Sequence, residues 1–224
     1  MTEPDVTLTD YGVTLECAIL TGLLFRRGPA RRGLRSLFAL LFASAGIAAL
    51  AGGTVHGFFP RGDSALGAIL WRIVLLAVGL TALAGWSIGG RLLFAERTAR
   101  VVEVLAAVEC AAYAIVVLAI DQSFWIAIAN YAPSVFFVAF SFLVAYRRRG
   151  EGPTAPKGSG GPLLAGLAGL LLMIAGAIVQ RLRVAVHPAY FNHNALFHVI
   201  QMAAFLLVFR AGRHLIAAPP AAER

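Results

Sequence analysis

Residues 34–59 read LRSLFALLFASAGIAALAGGTVHGFF. Apart from Arg35 near its start and His56 near its end, the stretch carries no ionisable side chain. A helix crosses the hydrocarbon core of a bilayer with about 20 predominantly apolar residues, so this stretch is predicted to be a membrane span. Its histidine is informative in a second way. An ionisable side chain is costly inside a span, and it marks a functional-site hypothesis by default.

Six further stretches have the same character: 8–25, 65–94, 99–120, 123–146, 162–180 and 192–214. Together they predict an all-α integral membrane protein, a bundle of seven transmembrane helices. Composition agrees. The chain is 59% hydrophobic and 13% charged, against about 45–50% and about 25% in soluble domains, so a soluble fold would lack a polar surface. Within the third span Gly89 and Gly90 offer a stop near Ser87. Pro133 is predicted to kink the fifth. Gly166, Gly169 and Gly176 give the sixth a surface for close packing in lipid. One domain is expected over 1–216, with a cytoplasmic loop at 147–161 and a flexible tail at 217–224. The opening MTEPDVTLTD is acidic and lacks the positive n-region of a secretory signal, so the first span is expected to be retained.

The formal net charge is +8, but the basic residues fall in short clusters between apolar runs. That is the pattern of topology signals, not of a nucleic-acid-binding face. Fifteen of them sit in the first, third and fifth connections and at the C-terminal end, including Arg26, Arg27, Arg91, Arg97, Arg147 and Arg210. Arg61, Arg181 and Arg183 are the only ones in the alternate connections. Positive residues favour the cytoplasm, so the N-terminus is expected outside and the C-terminus inside. The expected location is a cell membrane, a bacterial inner membrane. Cys17 and Cys110 lie in apolar segments without a CxxC partner and read as small buried hydrophobes.

The second span runs outward, so His56 is expected near the outer surface. The seventh starts there, which brings His193, Asn194 and His198 to the same level. Three neutral imidazoles make a common catalytic zinc site, so His56, His193, His198 and Asn194 are the candidate metal ligands. His193 and His198 are five apart, about 140° around an ideal helix. Both reach one ion only if the helix start is unwound. Otherwise the set is His56 and His198 with an oxygen from Asn194, Asp63 or Glu16. Each residue also has a plainer reading: His56 at a helix end without a ligand, His193 beside the N-cap candidate Asn192, and Glu16 or Glu109 paired with Arg72 inside the bundle.

Seven spans, the N-terminus outside, a histidine late in the second span and the segment NALFH (194–198) opening the seventh resemble the CREST superfamily. Those seven-helix membrane proteins include alkaline ceramidases and adiponectin-type receptors. Their pattern is Ser-x-x-x-His in the second span, an Asp near the third and His-x-x-x-His in the seventh. The resemblance implies that His56 and His198 bind zinc and that the site hydrolyses amide or ester bonds in lipids. The pattern's serine falls here on Gly52, and its first seventh-span histidine falls on Asn194, with His193 one residue away. Asp63, in the loop before the third span, is a loose candidate for the aspartate, and Glu16 echoes an acidic residue of the ceramidases' first span without matching its spacing.

Three functions follow as expectations. One is a zinc-dependent lipid hydrolase, with a membrane lipid as partner and Asp63 or Glu16 as general base. Another is a non-enzymatic receptor, sensor or structural protein with a polar cavity and no metal. The last is haem ligation by His56 with His198 or His193.

Overall fold

The computed structural model describes residues 1–26, 31–59, 64–150, 160–187 and 190–217. Seven helices follow in order: α1 (Pro4–Phe25), α2 (Arg32–Phe58), α3 (Ala65–Leu93), α4 (Glu96–Ala119), α5 (Phe124–Gly150), α6 (Gly161–Arg181) and α7 (His193–Ala217). All seven are long and apolar enough to cross a membrane. Even the 21 residues of α6 reach about 30 Å at 1.5 Å per residue, the thickness of a bilayer's hydrocarbon core.

Local chemistry explains most of the boundaries. Pro4 opens α1, where a missing N–H costs nothing. The Thr7 and Thr9 hydroxyls then donate to the carbonyls of Glu3 and Asp5, both at 2.8 Å. The helix therefore begins within the polar run, several residues before the span start expected at 8. Ser64 caps α3, its hydroxyl accepting from the Gly67 N–H at 3.0 Å. Asn192 caps α7, its amide oxygen accepting from the N–H groups of Asn194 and Ala195 at 2.8 and 3.1 Å.

Two expectations are corrected. The stop near Ser87 does not occur, and α3 continues through Gly89 and Gly90 to Leu93. Phe137 of α5 and Val102 of α4 press on these glycines, and that packing outweighs the roughly 1 kcal/mol that a glycine costs a helix. Likewise α5 runs to Gly150, so the start of the expected 147–161 loop is helical.

The main core is shared by α1, α2, α3, α5, α6 and α7. Phe42 lies at its centre, edge-on to Phe205 at 5.8 Å and packed against Phe209 at 6.0 Å. The small residues of α6 do what the sequence predicts: a Cβ on Gly169 would lie 2.7 Å from the Ala204 carbonyl oxygen of α7. α2 offers a similar track to α1. A Cβ on Gly53 would lie 2.7 Å from Asp10 Cβ, and one on Gly57 would lie 2.8 Å from Thr7 Oγ1. α4 stands apart. It packs against α3 and joins only a small second cluster, through Tyr113 and Val117 against Leu75 and Ala127.

Candidate functional site

The start of α1 lies between the end of α2 and the start of α7, and polar side chains fasten it to both. On α1, positions 3, 7 and 10 make one stripe and positions 5 and 9 an adjacent one, as helical spacing requires. The first stripe meets α2. His56 Nδ1 lies 2.7 Å from Glu3 Oε2, with side chains 34% and 40% exposed. Nearby the Thr2 N–H donates to the Gly57 carbonyl at 3.0 Å. The Tyr11 and Thr54 hydroxyls are 3.1 Å apart.

The second stripe meets α7. The backbone N–H of Asn192 donates to Asp5 Oδ2 at 2.9 Å. Deeper in, His198 Nδ1 is 3.1 Å from Thr9 Oγ1, and its Nε2 is 3.3 Å from Asp10 Oδ1. The Asp10 and His198 side chains are only 7% and 11% exposed. With the Thr9 hydroxyl donating to the Asp5 carbonyl, its oxygen accepts from His198 Nδ1–H, and Nε2 faces the Asp10 carboxyl. A buried carboxylate against an imidazole fixes its tautomer and orientation, as the partners of functional histidines commonly do.

The end of α2 can hold Asp10 so closely because Gly52 and Gly53 carry no side chains there. A Cβ on Gly52 would lie 3.6 Å from Asp10 Oδ2. The space next to the position where the CREST pattern has serine is thus occupied by the Asp10 carboxyl. Thr54, the nearest hydroxyl in the sequence, donates to its own helix at Leu50 O, 2.7 Å away.

The four candidate ligands are brought to one end of the bundle but not to one point. His56 turns to Glu3 and His198 to Thr9 and Asp10. His193 is half-buried at the first position of α7. The Asn194 amide oxygen accepts from Gln180 Nε2 of α6 at 3.0 Å. Among the described residues no three His, Cys, Asp or Glu side chains are placed to hold one metal ion. As arranged, the expected set does not fit zinc. Asp63 lies outside the described residues. Glu16 lies further along α1, with both carboxylate oxygens buried and without hydrogen-bond partners.

The expected ion pair of Arg72 with Glu109 or Glu16 is also corrected. With the Gln122 amide oxygen turned toward it, Arg72 donates from Nε and Nη2 at 3.1 and 3.0 Å. α1 packs on α2 and α7, not on α3, so Glu16 and Arg72 belong to different parts of the bundle. The turn between α4 and α5, which carries Gln122, comes to the start of α3 instead, where Trp71 Nε1 donates to the Gln122 carbonyl at 2.9 Å.

The residues that complete the site are Glu3, Asp5, Thr9 and Asp10, and sequence reasoning gave them no role. Asp10 carried a signal, because it is an acidic residue inside a predicted span. No curated protein and no solved structure matches the chain. One family model does, over residues 6–217, which takes in Thr9, Asp10, His56 and His198 and reaches through the last turn of α7. The chain belongs to that family, a family of unknown function (DUF6962).

Proposed function

We propose that this is a non-enzymatic multi-pass membrane protein, a receptor or sensor, in which the clasp between α1, α2 and α7 is the responsive element. Its N-terminal end faces outward, by the distribution of arginines, and a bacterial inner membrane is its place. The observation that carries the reading is the closure of His198. Both ring nitrogens are engaged by α1, Nδ1 by the Thr9 hydroxyl and Nε2 by the Asp10 carboxyl. A ligand or a change in protonation at the outer surface reaches this pair by loosening α1, which binds its neighbours through polar contacts that such a change would weaken.

A second reading is the zinc-dependent hydrolysis of lipid amides or esters that the resemblance implies. One distance favours it. Two atoms bound to a tetrahedral zinc at about 2.0–2.1 Å lie about 3.3 Å from each other, and His198 Nε2 and Asp10 Oδ1 have that separation. His198 and Asp10 would then be two of the holding residues, with His56 joining them only if it leaves Glu3, and the metal would supply carbonyl polarisation and an acidified water.

Elemental mass spectrometry of detergent-purified protein, prepared without chelator beside His56→Ala and His198→Ala, separates the two. The receptor reading expects no stoichiometric zinc and no turnover of lipid amides or esters. About one zinc per chain, lost in both variants while the helical content persists, would overturn it in favour of the hydrolase. Reporter fusions at each terminus test the orientation. An N-terminus found in the cytoplasm would place the clasp at the inner face and remove the outward-facing part of the proposal.

A further inference from the structure

The end of the bundle opposite the clasp is cationic. The close fit of Gly33 against Arg91 brings the starts of α2 and the end of α3 together. Arg148 of α5 donates to the Leu93 carbonyl at 3.2 Å, beside the turn into α4. Among the described residues two acids stand at this end near α4. Glu96 is already paired with Arg100 and Glu103 with Arg91. No ion pair holds Arg97 among the described residues, and its side chain is exposed. A shallow open depression of about 460 Å³ lies beside the start of α4, lined by Glu96, Arg97 and Arg100.

What lies above that depression is as important. Val101, Val104, Leu105 and Val108 follow Arg97 and Arg100 along one side of α4, all more than half exposed. Residues at this spacing form a continuous stripe. From 97 to 108 the stripe rises about 16 Å, roughly the depth of one leaflet's hydrocarbon. A cationic seat thus runs directly into an uncovered apolar track.

We propose that this side of α4 seats an anionic phospholipid, with the guanidinium groups of Arg97 and Arg100 on its phosphate and its acyl chains along Val101, Val104 and Val108. Charge selects the occupant. A guanidinium presents a planar fork that matches phosphate oxygens bidentately, whereas a second copy of the chain would bring the same arginines against each other. The Arg100–Glu96 pair does not block the seat, because exposed pairs of this kind are weak and open readily.

The test uses the full-length chain in nanodiscs, reading retained phosphatidylglycerol and phosphatidylcholine by native mass spectrometry. The wild type should retain phosphatidylglycerol preferentially. Each basic residue near an anionic lipid contributes roughly fivefold, so Arg97→Gln with Arg100→Gln should weaken phosphatidylglycerol retention about 25-fold and leave phosphatidylcholine unchanged. Arg32→Gln, at the same end but on α2, should have much less effect. If the double variant does not fold, Arg97→Gln alone should show the roughly fivefold loss. Equal retention of the two lipids by the wild type would overturn the proposal. So would an Arg32→Gln effect as large as that of the α4 variants, or equal stabilisation by inorganic phosphate in phosphatidylcholine discs.

Discussion

α1 and α4 are both peripheral helices, but they are held in different ways. α1 touches two neighbours and is tied to each by named polar contacts, over glycines that let it come close. α4 packs mainly on one neighbour, α3, and most of its side chains face outward as apolar surface. In lipid an apolar side chain gains little by moving from acyl chains to another helix, so helix position is set by fit and by polar contacts. By that rule the placement of α1 is specified and that of α4 is permissive. Substitutions on the two helices should therefore differ sharply in cost, even where the residue changed is equally distant from the bundle axis.

The largest effect is expected at the glycine track. A side chain on Gly53 would begin 2.7 Å from Asp10 Cβ and 3.3 Å from the Thr7 carbonyl oxygen. Neither is the free end of a flexible chain, so α1 itself must move. Gly53→Leu should destabilise the protein by about 2–3 kcal/mol, within the range for overpacked sites, or roughly 5–10 °C in melting temperature for a chain of this size. A melt in detergent measures this. An unchanged melting temperature would mean that α1 is not seated on α2 as described.

Next comes the contrast inside the clasp. Asp10 and His198 are buried, whereas the Glu3 and His56 side chains are 40% and 34% exposed. Removing one partner of a buried polar pair leaves the other unsatisfied and costs about 1–3 kcal/mol. An exposed pair is worth at most about 1 kcal/mol, less in salt. A double-mutant cycle with Asp10→Ala and His198→Ala should therefore show a coupling well above that of Glu3→Ala with His56→Ala, and only the latter should fade at high salt. Equal couplings would place His198 in contact with water and weaken the argument that it is closed.

Hydropathy and charge made the seven helices legible, because length and apolarity are local properties of the chain. The clasp was legible only in part. His56 and His198 could be placed at one level of the bundle by counting spans, but their partners depend on which helices are neighbours. Nothing in the spacing of residues says that α1 lies between α2 and α7. The same gap explains Arg72, whose partner is an amide in the α4–α5 turn rather than a carboxylate on α1 or α4. The start of α1 was missed for a related reason. Its polar residues look like a tail until tertiary contacts give each of them a partner.

The smallest effect sharpens the comparison most, because it is a predicted near-zero in a helix as apolar as any other. Leu105 of α4 is 62% exposed. In water a leucine lost from a packed core costs about 2–5 kcal/mol. At this position the side chain meets acyl chains in the folded bundle, and it would meet them just as well if α4 were detached. Transfer therefore contributes almost nothing, and no cavity forms because lipid fills the space. Leu105→Ala should shift the melting temperature by no more than about 1 °C, on the order of the few tenths of a kcal/mol typical of sites without specific contacts. A shift as large as that of Gly53→Leu would mean that this face of α4 is packed against protein in the membrane. The same result would remove the lipid track from beside Arg97 and Arg100, so this one substitution bears on the permissive character of α4 and on what covers it.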